Sequence, residues 1–181
     1  GVYVILKDTM QKIQQDAIAE NNEFANRIET VVSGNLEYNS RKDSFHLTKK
    51  DGRRIPSLNL ASGIRSWGIL QRLLAAGFLT PQSLLVIDEP ETNLHPEWQV
   101  SMAQLLVELV DAGIPVLVNT HSNYMVDALK YFSDNKKLEA VTRFYWVEPE
   151  ADGSGSVTKN VTDDLEPIFH AFNRPFLRTM F

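Results

Sequence analysis

Four adjacent apolar residues, Leu84-Leu85-Val86-Ile87, run directly into two carboxylates, Asp88-Glu89, and then Pro90. An apolar strand ending in paired acids places both at the carboxyl edge of a parallel sheet, where open α/β folds bind ligands. A hard cation carrying phosphate ligands needs one well-held carboxylate, often reached through water. A second carboxylate beside it can orient and deprotonate an attacking water. Taken alone, the pair has a plainer reading as a solvated strand end. A second apolar run, Pro115-Val116-Leu117-Val118, leads to Asn119-Thr120-His121-Ser122. If the two runs are neighbouring strands, His121 shares an edge with Asp88 and Glu89, and an imidazole there can hydrogen-bond a terminal phosphate or a positioned water. A third segment, Leu60-Ala61-Ser62-Gly63-Ile64-Arg65, opens a helix. Ser62 is a natural N-cap, Gly63 lets the backbone approach a ligand, and a helix N-terminus attracts anions. By itself that segment reads as an ordinary capped helix.

The elements that must hold these residues follow from periodicity. From Asp8 to about Val32 the apolar residues Ile13, Ala17, Ile18, Phe24, Ile28 and Val31 recur at helical spacing, weakened at Asn21-Asn22. Leu36–Asn39 and Ser44–Thr48 read as strands, and Asp51-Gly52 as the turn of a further hairpin reaching Ile55. The next helix carries Ile64, Trp67, Leu70, Leu73 and Leu74 on one stripe, with Gly77 as its C-cap. Ser83–Ile87 has the pattern of a strand buried on both faces of a parallel sheet. A helix from about Pro96 to Asp111, buried through Trp98, Met102, Leu105, Leu106 and Leu109 and ended by Gly113, separates it from the second run. Another helix, with Tyr124, Met125, Ala128 and Leu129 on its stripe, follows. Strand, helix, strand, helix predicts a right-handed parallel crossover and the α/β class: a mostly parallel sheet flanked by helices, preceded by a helical segment and a β-hairpin. Arg143–Val147 and Val157–Val161 are predicted strands around a Gly/Ser turn, and Asp163–Phe172 a short helix begun by Asp163-Asp164.

In this order the three motifs resemble the distal half of an ABC-type ATPase, of the SMC/RecF/OLD-like group of AAA-family ATPases. Leu60-Ala61-Ser62-Gly63 resembles the signature motif, and Leu84 to Glu89 the Walker B strand with its catalytic glutamate. Pro90-Glu91-Thr92-Asn93-Leu94-His95-Pro96 resembles the D-loop in its N-x-L-H-P form, and Thr120-His121-Ser122 the switch motif. The likeness is close over residues 55–130 and loose on the flanks. It implies the P-loop NTPase fold of ABC type, with ATP and Mg2+ as cofactors. Asp88 is implied to hold Mg2+ through water, Glu89 to be the general base for water attacking the γ-phosphate, and His121 to contact that phosphate. Ser62, Gly63 and Arg65 are implied to approach the γ-phosphate bound by a second subunit, with Asn93, Leu94 and His95 at the seam of that head-to-tail dimer. Ile64 stands where the family usually has a polar residue, and Arg65 replaces a frequent Lys while keeping its charge. DNA repair and anti-phage defence use such ATPases, with DNA or an effector nuclease as partner.

Such an ATPase also needs a P-loop, G-x-x-x-x-G-K-[ST], whose amides cradle phosphate. The one G-x-x-x-x-G, Gly63 to Gly68, lacks the Lys and the Ser/Thr and lies within a predicted helix. The expectation is therefore a single partial domain, the C-terminal lobe of a longer chain. It divides into residues 1–57, 58–148 and 149–181 and is inactive alone. Composition agrees with a globular lobe, since 43% of residues are hydrophobic and 23% charged. A net charge of −5, from 18 Lys+Arg against 23 Asp+Glu, excludes a surface built throughout to coat nucleic acid. It leaves room for the cluster Lys49-Lys50-Asp51-Gly52-Arg53-Arg54, whose plainer reading is a solvated turn and whose other reading is a contact to a phosphate backbone. Zero cysteines exclude a disulfide framework, a zinc-thiolate site and a Cys nucleophile, and fit a cytoplasmic protein. No apolar run approaches the ~20 residues of a membrane span. Two alternatives stand beside the ATPase. One is a non-catalytic dimerisation module on the same fold. The other is a metal-dependent nuclease using Asp88 and Glu89 directly, for which no third ligand lies at recognisable spacing.

Overall fold

The computed structural model describes residues 23–39, 44–56, 62–150 and 152–177. The upstream part of the first expected helix, residues 57–61 ahead of Ser62 and residues 178–181 lie outside the described residues.

Helix α1 (Glu23–Val32) leads into an antiparallel sheet of β1 (Gly34–Asn39), β2 (Ser44–Lys49) and β3 (Arg54–Pro56). Its register sets Leu36 opposite Leu47, and both side chains are buried. Helix α2 (Ser62–Ala75) packs across α1 and β1, burying Trp67, Leu70 and Leu74 beside Ile28. It stops as its Gly77 predicts. That residue takes φ 70°, its N–H bonds Leu74 O at 3.0 Å, and the Phe78 N–H bonds Leu73 O at 3.0 Å. This is the Schellman pairing, for which glycine carries no Cβ penalty.

Strand β4 (Leu85–Asp88), helix α3 (Pro96–Asp111), strand β5 (Val116–Asn119) and helix α4 (Asn123–Asn135) form the expected α/β unit. β4 and β5 pair in parallel, with Leu85 opposite Val116 and Asp88 opposite Asn119. Pro96 opens α3 at the position where a missing N–H costs nothing, and Gly113, at φ 87°, closes it. α3 and α4 pack together through Met102, Leu105, Leu106, Leu109, Met125 and Ala128, in the same core as the α1–α2 side. The chain continues as an antiparallel hairpin of β6 (Tyr145–Pro149) and β7 (Ser156–Asn160), then α5 (Glu166–Leu177). Asp164 accepts the Glu166 N–H at 3.0 Å, so the Asp163-Asp164 pair stands at a helix start as expected.

Three expectations change. Among the described residues parallel pairing is confined to β4 and β5, and the other two sheets are antiparallel. The β4–β5 sheet is buried on one face. Leu85 is buried and Ile87, Val116 and Val118 pack on the core, while Val86 is 60% and Leu117 57% exposed. With the core on one side only, the period-2 alternation of a strand sends every second apolar side chain outward. Tyr124, expected on the buried stripe of α4, is exposed, because the helix buries Met125, Val126 and Ala128 instead. Among the described residues no helix is long and apolar enough to cross a membrane.

Candidate functional site

The equal register of β4 and β5 sets the site. It brings Asp88 opposite Asn119, whose Nδ2 donates to Asp88 Oδ1 at 2.6 Å. The next residue, Glu89, takes φ 44°, a left-handed conformation that few side chains other than Asn and Asp adopt. Its N–H still bonds Asn119 O at 2.8 Å, extending the ladder one residue beyond the strand. The chain then turns, with the Thr92 N–H on Glu89 O at 3.1 Å and Thr92 Oγ1 donating to Glu89 Oε2 at 3.2 Å. On the neighbouring loop His121 places Nε2 3.6 Å from Glu89 Oε1. The structure thus brings Asp88, Glu89 and His121 to one edge of the sheet, all three solvent-exposed.

The donor set suits the cation that the resemblance implies. Among the described residues no three His, Cys, Asp or Glu side chains gather as a closed metal cage. Asn119 engages Oδ1 of Asp88, and the residue is solvent-exposed. One carboxylate with an open side is what Mg2+ bound mainly by water and phosphate requires.

The start of α2 forms a second group. Gly63 is buried, and a Cβ there would lie 2.3 Å from Leu94 Cδ2 and 3.1 Å from Asn93 O. Gly63, Asn93 and Leu94 therefore meet. Arg65 Nε is buried without a partner among the described residues. Ile64 packs on the core, which accounts for an apolar residue at that position. Asn93 has φ 60°, and His95 caps α3, its Nδ1 accepting the Glu97 N–H at 3.4 Å.

Sequence reasoning missed Asn119, Glu91 and Gln99. The first could have been found by aligning the ends of two equally long strands. Glu91 accepts the His121 N–H at 2.7 Å, and Gln99 links Leu94 O to Ser122 Oγ, contacts that no local pattern announces. In the basic cluster, Arg53 is turned onto Asp51: its N–H reaches Oδ1 at 3.0 Å and its Nε reaches Oδ2 at 2.7 Å. These bonds hold the Asp51 carboxyl below its ordinary range, and the segment is a solvent-exposed turn. A concavity of about 700 Å3 lies between the β6–β7 hairpin and α5, lined by Trp146, Lys159 and His170, and it includes none of the site residues. The site lies exposed along an open sheet edge.

A family model described as "AAA domain, putative AbiEii toxin, Type IV TA system" matches residues 4–127. The energy-coupling factor transporter ATP-binding protein EcfA of Methanosphaera stadtmanae is 34% identical over 71 residues, 39% of this chain and 24% of that protein. The chain thus spans about a quarter of the length of this curated relative. The Smc head domain with a coiled coil and joint from Pyrococcus yayanosii superimposes with a TM-score of 0.59 at 13% identity, over 84% of this chain and 28% of that one. The SMC head domain of Thermotoga maritima gives 0.51 at 18% identity, over 86% and 52%. A chain solved in work on "ATP-driven dimerization and DNA stimulated activation of SMC ATPases" gives 0.55 at 12% identity, over 93% of this chain and 96% of that one. At these identities the structural likenesses establish a shared fold.

Proposed function

This chain belongs to the AAA domain family matched over residues 4–127, among ABC- and SMC-like ATPases, and from that premise we propose that it is the lobe supplying the Walker B acids, the signature, the D-loop and the switch histidine of an ATP-hydrolysing unit. The observation that carries this reading is the meeting of Asp88, Glu89 and His121 at one sheet edge, with His121 Nε2 3.6 Å from Glu89 Oε1. Asp88 holds Mg2+ through water, its carboxylate oriented by Asn119. Glu89 orients the attacking water and takes its proton, and His121 hydrogen-bonds the γ-phosphate. The Ser62-Gly63 start of α2, with Arg65, meets nucleotide held by a second copy, and Asn93 and His95 lie at that seam.

The outer face of the β4–β5 sheet supports a further lobe. Val86 and Leu117 are bare in a sheet type that is ordinarily covered on both sides. We read the covering lobe as the carrier of the P-loop in a longer parent protein and the present chain as inactive without it. The family's description points to toxin–antitoxin systems, and one structural relative to DNA-stimulated ATPases. The parent protein is read accordingly as acting in phage defence or DNA repair, with DNA or an effector nuclease as partner.

The test is Glu89→Gln in the full-length protein. Removing a general base lowers turnover by about a hundredfold or more, while ATP-bound dimer accumulates in light scattering coupled to gel filtration. Unchanged turnover would remove Glu89 from the chemistry. A dimer that forms equally without ATP would favour the scaffold reading.

A further inference from the structure

Two side chains outside the assigned catalytic set hold the loop of His121 against the loop that follows Glu89. Glu91 Oε1 accepts the backbone N–H of His121 at 2.7 Å, across 30 residues of sequence. Its Oε2 is buried without a hydrogen-bond partner among the described residues. A carboxylate oxygen withdrawn from water without a donor costs free energy. The bond to His121 is therefore kept where an apolar side chain would pack at lower cost. Gln99, in the first turn of α3, makes the second bridge. Its Nε2 donates to Leu94 O at 3.0 Å, and its Oε1 accepts from Ser122 Oγ at 2.5 Å. Ser122 is the N-cap of α4 and follows His121 directly.

His121 is thus bracketed, its own amide by Glu91 and the next side chain by Gln99. The imidazole itself is 70% exposed, with Glu89 as its one described partner. Its reach is set by where its backbone is held. The same loop carries Leu94, whose side chain fills the space that a Cβ on Gly63 would need.

We propose that Glu91 and Gln99 are positioning residues that fix His121 relative to Glu89 and, through Leu94, tie that placement to the start of α2. Contact of a second copy at Gly63 or at the loop of residues 93–95 then shifts Leu94, and Gln99 passes the shift to Ser122 and His121. This rests on the ATPase reading above.

The experiment uses the full-length protein, with ATP turnover and hydrogen exchange measured together. Glu91→Ala removes the acceptor for the His121 amide, whereas Glu91→Gln keeps a carbonyl oxygen there. Gln99→Ala removes the bonds to Leu94 O and from Ser122 Oγ at once and serves as the second variant should Glu91→Ala fail to fold. Glu91→Ala and Gln99→Ala are expected to lower kcat about tenfold or more, as misplacement of a reacting group does, with KM for ATP held within about twofold. Exchange should rise in peptides covering residues 119–124 and stay unchanged over residues 102–109, and Glu91→Gln should restore both kcat and protection. Raised exchange with unchanged kcat overturns the proposal and leaves the ATPase reading standing. Exchange that rises equally over residues 102–109 also overturns it, because the role is then general stability. A wild-type protein without Glu89-dependent turnover overturns the ATPase reading, and the proposal falls with it.

Discussion

Glu89 is the residue at which backbone and chemistry compete. Its φ of 44° costs an L-residue on the order of 1–2 kcal/mol relative to ordinary backbone. Strain of this kind persists where surrounding bonds over-determine the conformation, as the Asn119 carbonyl and the Thr92 amide do here. The side-chain contacts offset little, since Thr92 and His121 meet Glu89 in solvent. Glu89→Gly should therefore abolish turnover while leaving stability unchanged or raised by up to about 1 kcal/mol. Equilibrium denaturation checks this. A loss of stability would mean that the carboxylate anchors the turn. Glycine would suit this backbone, so its absence here is consistent with the carboxylate being needed.

At the scale of elements, α2 shows packing overruling propensity. Replacing a mid-helix glycine by alanine ordinarily gains about 1 kcal/mol. At Gly68 the added Cβ would stand 2.2 Å from Leu36 Cδ2 and 2.6 Å from Leu36 Cβ, so α2 could not rest on β1 as it does. Gly68→Ala is expected to destabilise by about 1–3 kcal/mol through overpacking. Adding Leu36→Ala should cost less than the sum of the two single changes, because the smaller side chain makes the room the new methyl needs. Additive losses in equilibrium unfolding would show that the contact does not govern how the helix seats. Gly63 follows the same logic at the other end of the helix, where the neighbour is Leu94 and the adjustment falls on a loop that serves the site.

At the scale of the molecule, exposed ion pairs and turns on the periphery displace the titration of their own groups. In the β6–β7 hairpin Glu148 is held below its ordinary range by Lys159 and then by the Trp146 indole N–H. Asp152 is held down by the backbone and then the hydroxyl of Ser154. Carboxyls depressed on folding contribute stability above the unfolded value, about pH 4, and lose it as pH falls through the folded value. Lys136, raised by Asp111, behaves oppositely, and its contribution is lost only as pH rises through its elevated value. Acid below about pH 4 should therefore loosen the hairpin before the α3–α4 core, seen as hydrogen exchange, corrected for intrinsic rate, rising first over residues 145–160. In Lys159→Gln the hairpin should already be looser at neutral pH, and its difference from wild type should shrink as pH falls. A difference constant with pH would deny the pair its role.

Much of this molecule was legible in residue order. Apolar runs of strand length alternating with helical periodicity predict β4, α3, β5 and α4 from local information. Once two such strands pair in parallel, Asp88, Glu89 and His121 must share an edge. Gly77, Pro96 and Gly113 mark helix ends for reasons of φ and hydrogen bonding that hold in any context. Tertiary structure alone decided what depends on distant partners. The outward exposure of Val86 and Leu117 follows from what covers the sheet, which the apolar runs do not encode. The left-handed turn at Glu89 is set by a carbonyl on the neighbouring strand. The bonds from Glu91 and Gln99 to the His121 loop span 30 and 23 residues. Such contacts form only after packing has brought the loops within hydrogen-bond reach, so no local window of sequence contains them.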